Sequence, residues 1–153
     1  MRFDFSRYEL VVGEPASFFD LGHLELTGAT GSATSRGHRP DRSFMVYPGI
    51  VDLVDGLGRL AAAPKESYDF RGPDSSFTVW FTPARRGVLA VRVAGRTLGE
   101  ESPAELLAGL HTGVHAFLAD PRNVLPPQES LAAELDRALA ALEALIRRRP
   151  LKP

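Results

Sequence analysis

The chain has 153 residues, 44% of them apolar and 24% charged, and its 18 Lys plus Arg residues nearly balance its 19 Asp plus Glu residues. This length and composition predict one globular domain, 1–153, with a single core. The absence of cysteine excludes disulfides and thiolate-held metal clusters, and the near-zero net charge argues against a protein whose main task is binding nucleic acid.

The first eight residues alternate charged and aromatic types, which is unlike a signal peptide. No run approaches the roughly 20 apolar residues that a membrane-spanning helix needs. We therefore expect a cytoplasmic protein that binds neither membranes nor nucleic acids.

Residues 1–47 are predicted to form short strands. Large apolar residues nearly alternate over 3–12, which predicts a first strand, and the alternation continues in a second strand around 24–26. The segment 27–42 loses this periodicity and is rich in Gly, Thr, Ser and Arg, so we interpret it as a mobile hairpin tip or long loop. Apolar character returns at 43–47 and predicts a third strand.

The middle of the chain predicts a short helix followed by a meander. Pro48 suits the first turn of a helix, and the apolar residues after it recur at helical spacing, which predicts an amphipathic helix over 48–62. Strict alternation over 67–98, interrupted by turns near Gly72 and Gly87, predicts antiparallel strands.

Two helices are predicted at the end of the chain. Ser102, Pro103 and Glu105 combine an N-cap serine, a first-turn proline and a capping-box glutamate, which predicts a helix over 102–119. A second helix is predicted over 128–149. Its apolar seam could pack on the core or support a homodimer, and consists of Leu131, Leu135, Leu139, Leu142 and Ile146.

This order of elements predicts an α+β fold, in which an antiparallel sheet of about five to six strands packs against a short helix and two C-terminal helices. A parallel nucleotide-binding sheet would need strictly alternating strands and helices. The Gly-rich turn at 27–32 also lacks the following helix and the acidic strand that a dinucleotide site requires, so we expect no cofactor.

His111 and His115 stand four residues apart, a spacing that can place two imidazoles on one metal ion. A metalloprotease helix would carry a glutamate directly after the first histidine, and this chain has a threonine there. Third ligands for such a site could be His23, Asp69 or Asp120. The alternative is that both histidines pack at the edge of the apolar face, against the sheet or a partner.

The most basic patch of the chain contains Arg36, His38, Arg39 and Arg42. Such a patch could bind an acidic partner or a phosphate, and the alternative is a solvated loop. Trp80 lies on the strand face opposite its large apolar neighbours. Either a helix covers that face as well, or Trp80 is a partly exposed anchor of the kind that dominates protein interfaces.

The apolar pattern of residues 1–119 resembles that of WapI-type contact-toxin immunity proteins and related small bacterial proteins of unknown function. The resemblance is carried by 47–54 with Leu57 and Leu60, by 77–81, by 91–93, and by Leu106, Leu107, Leu110, Phe117 and Leu118. It implies two N-terminal strands, a short helix, a meander and a closing helix, and it transfers no catalytic residues. Segments 28–37 and 128–149 depart from the pattern.

Together these observations predict a non-enzymatic protein-binding protein, an immunity-like antitoxin that occludes a toxin partner. The contacts would come from the Arg36–Arg42 patch and the exposed sheet face around Trp80. Two other classes remain open: a metal-dependent enzyme at His111 and His115, and a small-ligand carrier that uses those histidines or a cavity between sheet and helices.

Overall fold

The computed structural model describes residues 1–8, 13–63 and 65–148. Over these residues the chain forms two four-stranded antiparallel sheets. The first sheet contains β1 (Arg2–Arg7), β2 (Leu21–Gly28), β3 (Gly31–Thr34) and β4 (Phe44–Met45). The second contains β5 (Tyr68–Arg71), β6 (Thr78–Pro83), β7 (Leu89–Val93) and β8 (Arg96–Glu101). The helices are α1 (Val46–Ala62), α2 (Pro103–Ala119) and α3 (Ala132–Arg148), and a short 3-10 turn spans Pro121–Asn123.

The predicted α+β class, with antiparallel strands packed against one short and two C-terminal helices, is confirmed. The described residues hold eight strands in two sheets instead of five to six in one, because β3 and β8 contain few large apolar residues and give little sequence signal. The part of the first predicted strand over 9–12 lies outside the described residues, as does the predicted helix end at 149.

Two predicted boundaries are wrong. Helix α1 begins at Val46, so the strand predicted over 43–47 shortens to β4. Helix α3 begins at Ala132 and not at 128, because the chain forms turns at 127–131 before it becomes helical. The segment 27–42, predicted as a mobile hairpin tip or long loop, begins as a hairpin: its first part completes β2, turns at 29–30 and then forms β3.

Helix α1 is the centre of the core. Ten of its 17 residues are buried, and it packs against α2, α3, β2 and β5. The inward residues of the strands are buried in the same core in alternation, for example Phe3 and Phe5 of β1 and Val79 and Phe81 of β6. This alternation is the pattern from which the sequence predicted the strands. In the described residues no helix is long and apolar enough to cross a membrane.

The two sheets meet where the β2–β3 turn reaches β8. Thr30 N donates to Leu98 O at 2.9 Å, and Arg96 Nη2 donates to Ser32 O at 3.0 Å. A Cβ on Gly28 would lie only 2.3 Å from Leu98 O, so the approach of the two backbones requires glycine. The Gly-rich turn therefore joins the two sheets, which gives it a structural role.

Two glycines fix how α2 lies on the first sheet. A Cβ on Gly109 would lie 2.1 Å from Met1 O, and a Cβ on Gly113 would lie 2.2 Å from Phe3 O. One face of α2 is therefore held in backbone contact with β1. Because each residue advances the helix by about 100°, His111 and His115 project from the opposite face.

We predict that the protein loses stability at alkaline pH, because two of its tyrosines are buried. Burial, and for Tyr68 the neighbouring Asp52 carboxylate, raise the pKa values of Tyr47 and Tyr68 well above the ordinary range. Tyrosines of the unfolded chain ionise near pH ~10, so the full contribution of Tyr47 and Tyr68 to the free energy of unfolding is present below that pH. Above it, this contribution falls by about 1.4 kcal/mol per pH unit for each tyrosine.

Urea unfolding at a series of pH values from about 8 to 11 measures this slope. The variants Tyr47→Phe and Tyr68→Phe should each flatten the slope by the contribution of one tyrosine. A double variant with the slope of the unmodified protein would contradict the assignment.

Candidate functional site

The segment 35–42, which we call the basic loop, folds back over the outer face of the first sheet. Ser35 is fully buried, and its backbone N–H donates to Leu24 O at 3.1 Å. The Ser35 hydroxyl accepts from Leu24 N at 3.1 Å and lies 2.9 Å from Nδ1 of His23. These contacts cover His23, which is only 4% exposed although it lies on the outer face of β2.

Hydrogen bonds hold three side chains of the basic loop in place. Arg36 Nη2 donates to Ser6 Oγ on β1, and His38 Nε2 lies 2.7 Å from Thr34 O. The acidic member of the loop, Asp41, accepts from the backbone N–H and the hydroxyl of Ser43. The bond from the Ser43 backbone is the main reason why the pKa of Asp41 lies below its usual value. This carboxylate therefore already has donors.

The basic loop and β8 together line a cavity of about 300 Å³, which we call the basic cavity. Arg36, His38 and Arg42 contribute to it from the loop, and Arg96 contributes from the second sheet. Among the described residues that line it, Glu25 is the one acidic residue. Three guanidinium groups against one carboxylate make this cavity attractive to an anion.

Arg42 carries a buried hydrogen-bond donor that lacks an acceptor in the described ranges. Its Nε is buried and has no hydrogen-bond acceptor in the part of the chain that the structure describes. An unsatisfied buried donor costs about 1–3 kcal/mol, and more when it is charged. A carboxylate or phosphate matches the planar fork of a guanidinium, and Arg42 lines the basic cavity, so an anionic group there would pair with its guanidinium.

The structure brings together three of the five predicted partner-binding residues. Arg36, His38 and Arg42 share the basic cavity, whereas Arg39 is exposed beside it and does not line it. Trp80 lies on the outer face of the second sheet, between Asp69 and Arg92 of the neighbouring strands. Its side chain is 38% exposed, which agrees with the partly exposed alternative. Arg96 was not predicted, because no local pattern links it to the loop.

The two predicted histidines form a second cluster with a residue from α3. Nε2 of His111 lies 3.8 Å from Glu143 Oε1, and Nε2 of His115 lies 3.5 Å from the same oxygen. The two imidazole rings are 4.2 Å apart between centroids. All three side chains are partly exposed, so solvent and solutes can reach the cluster.

None of the three suggested third ligands joins the histidines. His23 is enclosed by Ser35, Asp69 lies on β5 opposite Trp80, and Asp120 accepts hydrogen bonds from Arg122, which lower its pKa. These three predictions are wrong, because the packing of α3 beside α2, which no local sequence pattern indicates, places Glu143 next to the histidines. The residue that joins the histidines is Glu143, which directly follows Leu142 of the apolar seam of α3.

The apolar seam of α3 packs largely within the chain. Leu135 and Leu142 are buried in the core, and Leu131, Leu139 and Ile146 are partly buried against it. The homodimer through this helix stays a prediction.

Comparisons of the chain with protein-family models, with curated proteins and with solved structures give no match. The resemblance to immunity proteins therefore stays a prediction, and the two clusters are interpreted from their own chemistry.

Proposed function

We propose that this protein is a non-enzymatic binding protein whose basic cavity receives an acidic side chain of a partner protein. The observation that carries the proposal is the buried Nε of Arg42, a charged donor without an acceptor among the described residues. The positive charge around the cavity would attract a partner carboxylate, and a small rotation of the Arg42 side chain toward the cavity would let that carboxylate accept from it.

The dimensions of the cavity favour one acidic group over a large ligand. Its volume of about 300 Å³ lies at the lower limit of the range for small-molecule pockets, about 300–1,000 Å³. A Glu or Asp side chain presented by a partner needs less space. The exposed rim around the basic loop, including Arg39, then provides polar contacts with the rest of the partner surface.

Trp80 offers a second contact of different chemistry. A half-exposed tryptophan beside an arginine on a neighbouring strand is typical of residues that dominate interface energetics. The resemblance to immunity proteins favours a toxin as the partner. The basic cavity and Trp80 would then both contact the toxin and occlude its surface.

The charge requirement can be tested without knowing the partner. We expect a hexaglutamate peptide to bind in isothermal titration calorimetry at low salt and a hexaglutamine peptide not to bind. Arg42→Gln should weaken hexaglutamate binding about 10–100-fold, because it removes a charge-assisted hydrogen bond worth about 1.5–3 kcal/mol. Arg137→Gln is the matched control, since Arg137 lies on α3, pairs with Glu134, and does not line the cavity.

Equal hexaglutamate affinity of the Arg42→Gln variant and the control would overturn the proposal. Tight binding of inorganic phosphate with no binding of the acidic peptide would also overturn it, in favour of a small-ligand carrier. The toxin form predicts that co-expression protects cells from the toxin and that Arg42→Gln abolishes this protection while Arg137→Gln does not.

A further inference from the structure

We propose that His111, His115 and Glu143 form a binding site for a divalent transition-metal ion such as Zn²⁺, which ties α3 to α2. The site is separate from the basic cavity, and this inference does not depend on the proposed function.

The ligand types and their separations support a metal site. Two imidazole nitrogens and a carboxylate oxygen are typical ligands of Zn²⁺ and of neighbouring first-row metals. The candidate ligand atoms lie within 4.8 Å of one another. Zn–N and Zn–O bonds of about 2.0–2.1 Å in a tetrahedral site place two ligand atoms about 3.3 Å apart. The observed separations of 3.5 and 3.8 Å between the imidazole nitrogens and Oε1 are close to this value.

Hydrogen bonding explains these separations less well. N–H···O bonds in proteins have donor–acceptor distances of about 2.7–3.2 Å, and both observed distances are longer. Both imidazoles instead direct Nε2 at one carboxylate oxygen from adjacent turns of α2. Small rotations of the partly exposed side chains would bring all three ligand atoms around one ion.

Packing against the rest of the fold positions both helices that carry the candidate metal-ligating residues. Gly109 and Gly113 fix the rotation of α2 against β1 and so direct the histidines away from the sheet. Glu143 follows directly after Leu142, which is fully buried and anchors α3 on the core. Rigid helices with packed neighbours are the scaffold on which metal ligands keep their geometry.

The exposure of the site leaves a place for a further ligand. The side chains of His111, His115 and Glu143 are 32%, 56% and 44% exposed. Three protein ligands with an accessible fourth position are typical of zinc sites that also hold water or an exogenous ligand. A structural consequence follows as well, since a metal ion here links α3, which buries only three residues over its described length, to α2.

Isothermal titration calorimetry of the tag-free chain with Zn²⁺, with Co²⁺ absorption as a second readout, tests the site. We expect one ion per chain and visible d–d bands of Co²⁺ that shift in each ligand variant. Saturating Zn²⁺ at about a hundredfold over its dissociation constant should raise the melting temperature by about 5–10 °C, reversed by EDTA.

The variants His111→Ala, His115→Ala and Glu143→Gln should each weaken Zn²⁺ binding at least tenfold and reduce the increase in melting temperature by about half or more. Glu134→Gln is the matched control, because it neutralises an exposed carboxylate of the same helix. Unchanged binding in Glu143→Gln would overturn the three-ligand site, as would the absence of stoichiometric binding in the unmodified protein. Equal losses in Glu134→Gln would show general charge effects and would also overturn it.

Discussion

Replacing Arg7 by alanine is expected to lower the free energy of unfolding by about 3–5 kcal/mol. Arg7 lies at an inward position of β1, and its side chain is completely buried. It pairs with Asp20 at 3.0 Å and donates to the backbone oxygens of Glu14 and Arg122. Alanine would remove the donor of two carbonyl groups and the positive partner of a mostly buried carboxylate, which would keep the Ser17 backbone N–H as a donor.

Urea unfolding monitored by tryptophan fluorescence measures this change. Arg2→Ala is the matched control on the same strand, because the Arg2–Asp4 ion pair has a similar length of 2.9 Å but is exposed. Such pairs contribute little, so we expect the control to stay within about 0.5 kcal/mol of the unmodified protein. A loss below about 1 kcal/mol in Arg7→Ala would show that water replaces the buried guanidinium with little penalty.

Gly113→Ala is expected to destabilise the protein by about 3 kcal/mol, near the upper end for overpacking. The added Cβ would lie 2.2 Å from Phe3 O, and the atom that must yield belongs to the backbone of β1. The loss would occur although alanine favours helix by about 1 kcal/mol over glycine. The variant should also displace His111 and His115 relative to Glu143.

Gly58→Ala on α1 serves as the control for this substitution. Within the described part of the chain its Cβ would meet only Leu145 Cδ1 at 3.0 Å, the end of a flexible side chain. We expect a neutral or slightly stabilising effect, because the gain in helix propensity faces little steric opposition. Thermal and urea unfolding measure the stability of both variants. Equal stability of Gly113→Ala and Gly58→Ala would contradict the packing argument.

Elements with strong local signals were predictable from the sequence. The capping box of Ser102 and Glu105 forms as predicted, and the apolar stripe after Pro48 is the buried face of α1. β3 was missed because its residues are small or polar and because it is defined by pairing with β2. Arg7 could have been recognised, since it continues the inward positions of Phe3 and Phe5.

The two candidate clusters were only partly predictable from the sequence. The i, i+4 spacing of His111 and His115 indicates one shared face of a helix, but Glu143 comes from another helix. Likewise the concentration of Arg and His in the basic loop is visible in the sequence, whereas Arg96 joins the cavity through contact between the two sheets. Local patterns identify such partial sites, and the long-range packing of the chain completes them.

The junction between the β2–β3 turn and β8 couples the geometry of the basic cavity to folding. Residues on both sides of that junction line the basic cavity, so its geometry exists only when the two sheets are docked. An anion that enters it binds the native chain and not the unfolded one, and by mass action it raises the unfolding midpoint. Thermal shift assays would therefore detect occupants even where no reaction provides a signal.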